Sequence, residues 1–280
     1  MEKLYIILPV YNRVNLTERF VEALKLQTFS NYTLILIDDG STDGTSDRIR
    51  KIVKDIVLLN GDGNLWWAGS LQKGFDWIKS NGKKNSATLI INDDLVFGND
   101  FLAKGLFYLN LTNNSFILAA AYNEDETDTL EDCGIVYDFK NNNFSANDVN
   151  NLDKLNCVST KGLFMKTADF LKTKGFRPFL LPHYYSDYEF TIRANRKYGI
   201  SLKCFLDLKI FVNTKSTGVE EVSFNSIGDY FKKAFSNRNK ANPKHTFIYY
   251  LIAFPFPYNF KFALKEVKQC FNVCRSLIFR

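Results

Sequence analysis

Over the first hundred residues, short apolar, β-rich runs alternate with stretches of helical character, and each apolar run ends in a polar cluster. Residues 4–8, 34–37, 56–59 and 87–91 read as strands. Between them, Asn15 is placed as an N-cap, with Glu18 three residues on, for a helix that Phe20, Leu24 and Gln27 continue. A polar helix follows over about 45–54, and a third over 66–80 is entered through a Gly-rich loop. Strands alternating with helices predict an α/β fold with a mostly parallel, Rossmann-like sheet covered on both faces. In such sheets ligands bind at the carboxyl ends of the strands. Here those ends carry Tyr11 and Asn12, then Asp38 and Asp39, then residues 60–64, then Asn92, Asp93 and Asp94. One such cluster is ordinary loop chemistry; four in succession predict one shared site.

Each cluster has a chemical reading and a plainer one. Two adjacent carboxylates, Asp93 and Asp94, concentrate negative charge where a hard cation wants oxygen ligands, or they simply end a turn. Asp38 and Asp39 can accept hydrogen bonds from a base or ribose, or they open a Gly-containing turn with an N-cap at Ser41 or Thr42. The run 61–70, GDGNLWWAGS, combines glycines that allow close backbone approach with paired indole faces. Adjacent helical side chains diverge by about 100°, so at least one of Trp66 and Trp67 is expected in the core. Ser186 and Glu189 have capping-box spacing, which leaves Asp187 in the first turn without a structural task. The helix N-terminus favours an ionised carboxylate there, as a general base requires, although complementing the helix dipole is the commoner use.

The charge is concentrated late in the sequence. Residues 228–280 hold ten Lys and Arg against Asp229 and Glu266, a net +8; the whole chain is +6, so residues 1–227 sum to −2. Phe260, Leu264, Val267, Phe271, Cys274 and Ile278 fall on one face of a helix there, with Lys261, Lys265, Lys268 and Arg275 along another part. This pattern suits an anionic membrane surface, or packing on the preceding domain or on a second subunit of a homodimer. No apolar run is long enough for a transmembrane helix, and the apolar start is too short for a signal peptide. The five cysteines have no zinc-site spacing. A cytoplasmic protein with free thiols is expected, at the inner face of the membrane if the basic segment binds lipid. Nucleic acid finds no recognised reading motif. The expected division is an α/β domain over 1–227, with a first part to about 121 and a second of loops and edge strands from about 122, followed by a basic helical segment over 228–280.

Taken together and in order, these segments resemble bacterial glycosyltransferase family 2, with its GT-A fold, over about residues 4–208. The run LPVYN at 8–12 is similar to the family's first strand and nucleotide-contacting loop, which puts Pro9, Tyr11 and Asn12 on the donor. IDDGSTDGT at 37–45 resembles its most recognisable motif, implying that Asp39 contacts the nucleobase beside Asp38. Asn92-Asp93-Asp94 resembles the D-x-D motif, implying Asp94 as ligand of Mg2+ or Mn2+ and Asp93 on the donor side. Ser186-Asp187-Tyr188-Glu189 resembles the E-D-x-D/E motif, which makes Asp187 the catalytic base. NLWWAGS at 64–70 is similar to a subgroup rich in rhamnosyltransferase-like enzymes of surface polysaccharide assembly, and adds Asn64, Trp67 and Gly69 to the donor contacts. The chain departs from the pattern at Asn92, at Ser186, and near Val212 and Asn213, where many relatives carry a His. The resemblance implies an inverting, metal-dependent transferase. It would take a dTDP- or UDP-sugar to a hydroxyl of a glycan or lipid-linked acceptor.

Two rival classes remain on the residues themselves. One is a non-catalytic sugar-nucleotide or glycan-binding module, against which the presence of both Asp94 and Asp187 argues. The other is a nucleotidyltransferase, which needs a Gly-rich basic loop after the first strand; residues 9–13 hold no glycine and only Arg13 is basic.

Overall fold

The structure is a computed structural model and describes residues 3–53, 56–213 and 224–278. Strands β1 (Leu4–Val10), β2 (Tyr32–Asp38), β3 (Ile56–Asn60) and β4 (Ala87–Ile90) alternate with helices α1 (Val14–Lys25), α2 (Thr45–Ile52) and α3 (Trp66–Asn81). There follow β5 (Leu95–Val96), α4 (Phe101–Leu111), β6 (Ser115–Asn123) and β7 (Leu130–Asp132). A small hairpin of β8 (Ile135–Asp138) and β9 (Asn143–Ala146) leads to β10 (Leu163–Lys166), α5 (Thr167–Lys172), α6 (Ser186–Tyr198) and β11 (Ser201–Val212). Helices α7 (Ile227–Ala234), α8 (Pro243–Ala253) and α9 (Tyr258–Ile278) come last among the described elements.

The main sheet runs β3-β2-β1-β4-β10-β6-β11-β5, with β7 on β6. β1 is parallel to β2 and β4, and β2 to β3. β10 is inserted antiparallel between β4 and β6, so β6 points the same way as β4. Side chains alternate across the sheet. Leu4, Ile6 and Leu8 of β1 share one core with Phe20, Val21 and Leu24 of α1, while Tyr5 and Ile7 share the other with Leu71, Phe75 and Ile78 of α3. Both faces of the central strands are therefore covered, which is why they read as continuous apolar runs.

Pro9 shows how the sheet opens at its carboxyl edge. The Ile91 amide donates to the Ile7 carbonyl at 3.2 Å, so odd-numbered residues of β1 face β4. β4 pairs with β1 only as far as Ile7 opposite Ile90. Pro9, which has no N–H to give, thus falls where no β4 partner remains.

Three expected helix starts are corrected. Asn15 does not cap α1: the helix begins two residues earlier, with Arg13 at the N-cap position after a turn through Asn12 (φ 50°), and the Val14 amide donates to Asp43 Oδ2 at 3.0 Å. Neither Ser41 nor Thr42 caps α2, which starts after Gly44 (φ 82°). The Ser186–Glu189 capping box does not form. Ser186 Oγ donates to the His183 carbonyl at 2.7 Å, and the helix is entered through Tyr185 in a left-handed conformation.

Glu189 is spent on a tertiary contact. It is 1% exposed and accepts from Arg193 Nε at 2.7 Å and Nη2 at 3.1 Å, with Arg177 Nη1 at 3.3 Å. Arg193 also donates to the carbonyls of Thr173 and Gly175, which ties the loop before α6 to the helix. Removing the carboxylate strands the buried Arg193 charge. Glu189→Ala is expected to lose about 3–5 kcal/mol in urea unfolding; a loss under about 1 kcal/mol would show that the network contributes little.

The C-terminal helices are not a detached unit. Tyr249, Ala253, Phe254 and Phe262 share a core with Ile135, Cys157, Leu181 and Ile192. No helix among the described residues is long and apolar enough to cross a membrane, and the five cysteines are free.

Candidate active site

The polar clusters after β1, β2, β3 and β4 lie side by side at the carboxyl edge and are laced together. The Asn12 amide donates to Ser41 Oγ at 2.9 Å, and Asn12 Oδ1 accepts from the Thr42 amide at 2.8 Å. Asp38 is buried and accepts from the Ser41 amide at 2.8 Å and from Ser46 Oγ. Asp39, also buried, accepts from three backbone amides: Gly63 at 3.0 Å, Leu65 at 3.1 Å and Trp66 at 3.0 Å. Both acids therefore organise the loops of the edge, which the residue pattern alone did not indicate. Gly61 is required for this: a Cβ there would sit 2.4 Å from Asp39 Oδ1 and 2.9 Å from its Cα. Tyr11 stays 53% exposed beside them.

Beyond β3, Asn64, Leu65, Gly69, Gln72, Lys73 and Pro182 line a cleft of about 300 Å³. Asn64 is exposed there, whereas Gly69 lines the cleft as a buried residue. Trp67 does not stand free: it is half-buried against the core of Leu71, Phe75 and their neighbours. The indole turned toward the loop before α6 is Trp66, whose ring centroid is 5.5 Å from that of His183. Trp66 holds φ 55° and Tyr185 φ 65°, conformations costly for bulky residues and often found where a site is held in place. Burial lowers the pKa of His183, and its Nδ1 is enclosed without a hydrogen-bond partner among the described residues.

After β4, Asp93 is buried and anchored. It accepts from Thr17 Oγ1 at 2.8 Å and from Arg13 Nη1 at 3.0 Å. Burial raises its carboxyl above the usual range, with Thr17 and Arg13 pulling it back. Asp94 keeps an exposed edge, 30% of its side chain, and accepts from the same Arg13 Nη1 at 2.9 Å. Burial pulls Arg13 down, but the bond to Asp94 and the two carboxylate charges outweigh it, so its pKa is raised.

No group of three His, Cys, Asp or Glu side chains forms a complete metal cage among the described residues. A magnesium-type ion needs less: one or two carboxylates, with substrate phosphates and water filling the remaining positions. Asn92 Oδ1 adds a buried oxygen without a partner among the described residues. Asp94, with its neighbours Asp93 and Asn92, offers oxygen donors at the end of β4, the chemistry that suits a hard divalent cation.

The base candidate reaches the same edge from the other side of β4. β10 starts at Leu163 opposite Ile90, so the residues just before it, Ser159 and Lys161, arrive at that edge. β7 pairs Asp132 with Ala121 near the carboxyl end of β6, which runs parallel to β4. Asp132 accepts from Ser159 Oγ at 2.6 Å and from the Gly134 amide at 3.0 Å. Asp187 stands within electrostatic reach of Asp132, Lys161 and Cys157. Burial raises its carboxyl to about 6, despite the amides of Tyr188 and Asp187 itself and the charge of Lys161. The helix N-terminus favours the ionised form, but burial outweighs it here. Asp187 is packed about by protein yet keeps an accessible edge. Sequence reasoning missed Asp132, Ser159 and Lys161, which carry no local pattern.

A parallel sheet with an acidic strand end and a separate carboxylate on a following helix defines a GT-A-type transferase framework. The sequence profile of Glycosyl transferase family 2 matches residues 5–169, more than half of the chain, and the chain belongs to that family. Proteins of Rickettsia felis and Rickettsia bellii, each named only as an uncharacterized glycosyltransferase, are 42% and 43% identical over 53 residues. Those matches span 19% of this chain but 9% and 8% of the relatives. Among solved structures, the mannosyltransferase PcManGT from Pyrobaculum calidifontis, in complex with GDP-Man and Mn2+, is similar with a TM-score of 0.59 at 15% identity, covering 95% of this chain and 68% of its own. TarS 1-349 of S. aureus in complex with UDP-GlcNAc gives 0.58 at 14% identity, covering 94% and 73%. At that identity the likeness establishes the fold.

Proposed function

We propose that this chain is an inverting, divalent-metal-dependent glycosyltransferase. It moves a sugar from a nucleoside diphosphate donor to a hydroxyl of a glycan or lipid-linked acceptor in cell-surface polysaccharide synthesis. The observation that carries the reading is the pairing of two unlike carboxylate environments at one sheet edge. Asp93 and Asp94 share a cation, Arg13, whereas Asp187 is enclosed with its carboxyl raised to about 6. A carboxylate near 6 is mostly ionised at neutral pH yet basic enough to take a proton.

Asp187 Oδ accepts the proton of the acceptor hydroxyl while the acceptor oxygen attacks the anomeric carbon. The bond from that carbon to the diphosphate breaks on the opposite face, and the configuration inverts. Asp94, with Asp93 and Asn92, would hold the metal, which when bound supplies charge neutralisation for the departing diphosphate. The tied loops of Asn12, Ser41, Asp38 and Asp39 shape the edge on which the base and ribose lie, with Pro9 and Tyr11 alongside. Asn64 and Gly69 line the cleft that would take the sugar. The donor is a UDP- or dTDP-linked hexose or deoxysugar, with rhamnose as the subgroup resemblance suggests.

The direct test is calorimetric titration with UDP, dTDP and GDP, each with and without Mn2+. One diphosphate is expected to bind, and only with metal. Binding of none of them, with or without metal, would overturn the reading. Metal-dependent binding without turnover of any donor would favour the non-catalytic module.

A further inference from the structure

The strongest feature outside the site is the outward face of α9. Of its 21 residues only Phe262 and Ala263 are buried. Phe260, Leu264, Val267, Phe271 and Ile278 are each more than half exposed. At about 100° per residue they fall within roughly 60° of one another around the axis, forming a single stripe. Phe256, 79% exposed, continues it from the preceding turn, its ring 6.4 Å from that of Phe260. Single exposed apolar residues are ordinary, but a contiguous stripe of this size marks an interaction.

The charge beside the stripe selects the partner. Lys261, Lys265, Lys268 and Arg275 are all exposed and follow the stripe on one flank. The helix's only acid, Glu266, lies half-buried on the side toward the protein body, where burial raises its carboxyl. The outward face is thus apolar and basic, with no acidic residue among its described residues. A second copy crossing this stripe antiparallel about a two-fold axis would bring the two Lys rows to the same side without an opposing acid. An anionic lipid surface has the complementary charge and a fluid apolar layer that can receive the rings.

We propose that α9 docks this protein on an anionic phospholipid bilayer. The helix lies in the plane of the interface, with Phe256, Phe260, Leu264, Val267 and Phe271 inserted and the Lys row at the lipid phosphates. The inner side of the segment explains why docking matters to the site. α9 packs on α8, and Tyr249 of α8 stacks on Tyr185 at 4.7 Å, two residues before Asp187. Docking therefore sets the base-bearing helix beside the membrane. The docking itself does not depend on the transferase reading; only the consequence that the acceptor is lipid-borne rests on it.

The test is co-sedimentation of the full chain with phosphatidylcholine vesicles, with and without phosphatidylglycerol. Binding is expected only with phosphatidylglycerol and weakens as salt is raised. Lys261→Gln, Lys265→Gln and Lys268→Gln together should lower partitioning on the order of a hundred-fold. Phe260→Ser with Phe271→Ser should abolish it. Both variants should bind nucleotide in solution as the parent does, which separates this outcome from a failure of the transferase reading. Equal sedimentation of parent and variants, or none by the parent, would overturn the proposal. So would a dimer in solution that the Phe substitutions dissociate, with no vesicle binding.

Discussion

Asp187→Asn is expected to lower turnover by about 10²–10⁴-fold while leaving donor affinity within a few-fold. The amide keeps the shape and loses only the ability to take a proton. The pH profile provides the sharper reading. Burial raises the Asp187 carboxyl to about 6, and the ionised form is the proposed base. Below that value kcat/KM should therefore fall about tenfold per pH unit, and above it the profile should flatten. The residual rate of the Asn variant should lack this acid limb. The same shift predicts that the substitution does not unfold the protein. A folded-state value above the ordinary carboxylate range means that the native state holds the proton more tightly than the unfolded chain. Asp187 thus favours folding at low pH and costs stability once pH rises through about 6. The Asn variant should melt no lower than the parent at neutral pH. An unchanged rate, or a lost rate with an intact acid limb, would remove Asp187 from the role of base.

The framework was legible because its signals are local and mutually consistent. The runs that became β1 to β4 are apolar on both faces, and each is stopped by a cluster of Asn, Asp or Gly; after β1 and β2 the Asn12, Asp38 and Asp39 side chains bond to nearby amides. Adjacency at the carboxyl edge then follows from parallel topology. What was not legible is long-range. Nothing near residues 163–166 announces that they slot antiparallel between β4 and β6, yet that insertion brings Ser159 and Lys161 to the site. Asn15 and the Ser186–Glu189 pair had good local capping patterns and lost to tertiary partners: Asp43 from across a loop in one case, Arg193 and Arg177 in the other. Trp66 and Trp67 could not be told apart by period, because the left-handed turn at Trp66 resets the helix phase. Asp38 and Asp39 stand out in the sequence by their place after an apolar run, but spacing could not reveal that three amides converge on Asp39.

Asp94→Ala is expected to weaken Mn2+ binding by about a hundred-fold or more, and with it every metal-dependent nucleotide affinity. Loss of groups that merely orient a ligand costs about 10–100-fold, and loss of the ligand itself should exceed that. The contrasting variant is Arg13→Gln. Arg13 Nη1 sits 3.0 Å from Asp93 Oδ1 and 2.9 Å from Asp94 Oδ2, so one guanidinium group already satisfies both carboxylates. A cation taking these oxygens must displace it. The Arg13 side chain is 44% exposed, so water screens the pair and its removal should tighten Mn2+ binding only a few-fold. Once displaced, the guanidinium would be free to pair with the diphosphate of the proposed donor, because its planar fork is suited to phosphate oxygens. Arg13→Gln should therefore bind Mn2+ slightly better yet bind nucleoside diphosphate less well, a divergence that a purely structural role cannot produce. Paramagnetic resonance of free Mn2+ measures the first effect without nucleotide, and calorimetry measures the second. If Asp94→Ala retains its Mn2+ affinity and Arg13→Gln gains none, then the two carboxylates are held for Arg13 and the metal belongs elsewhere.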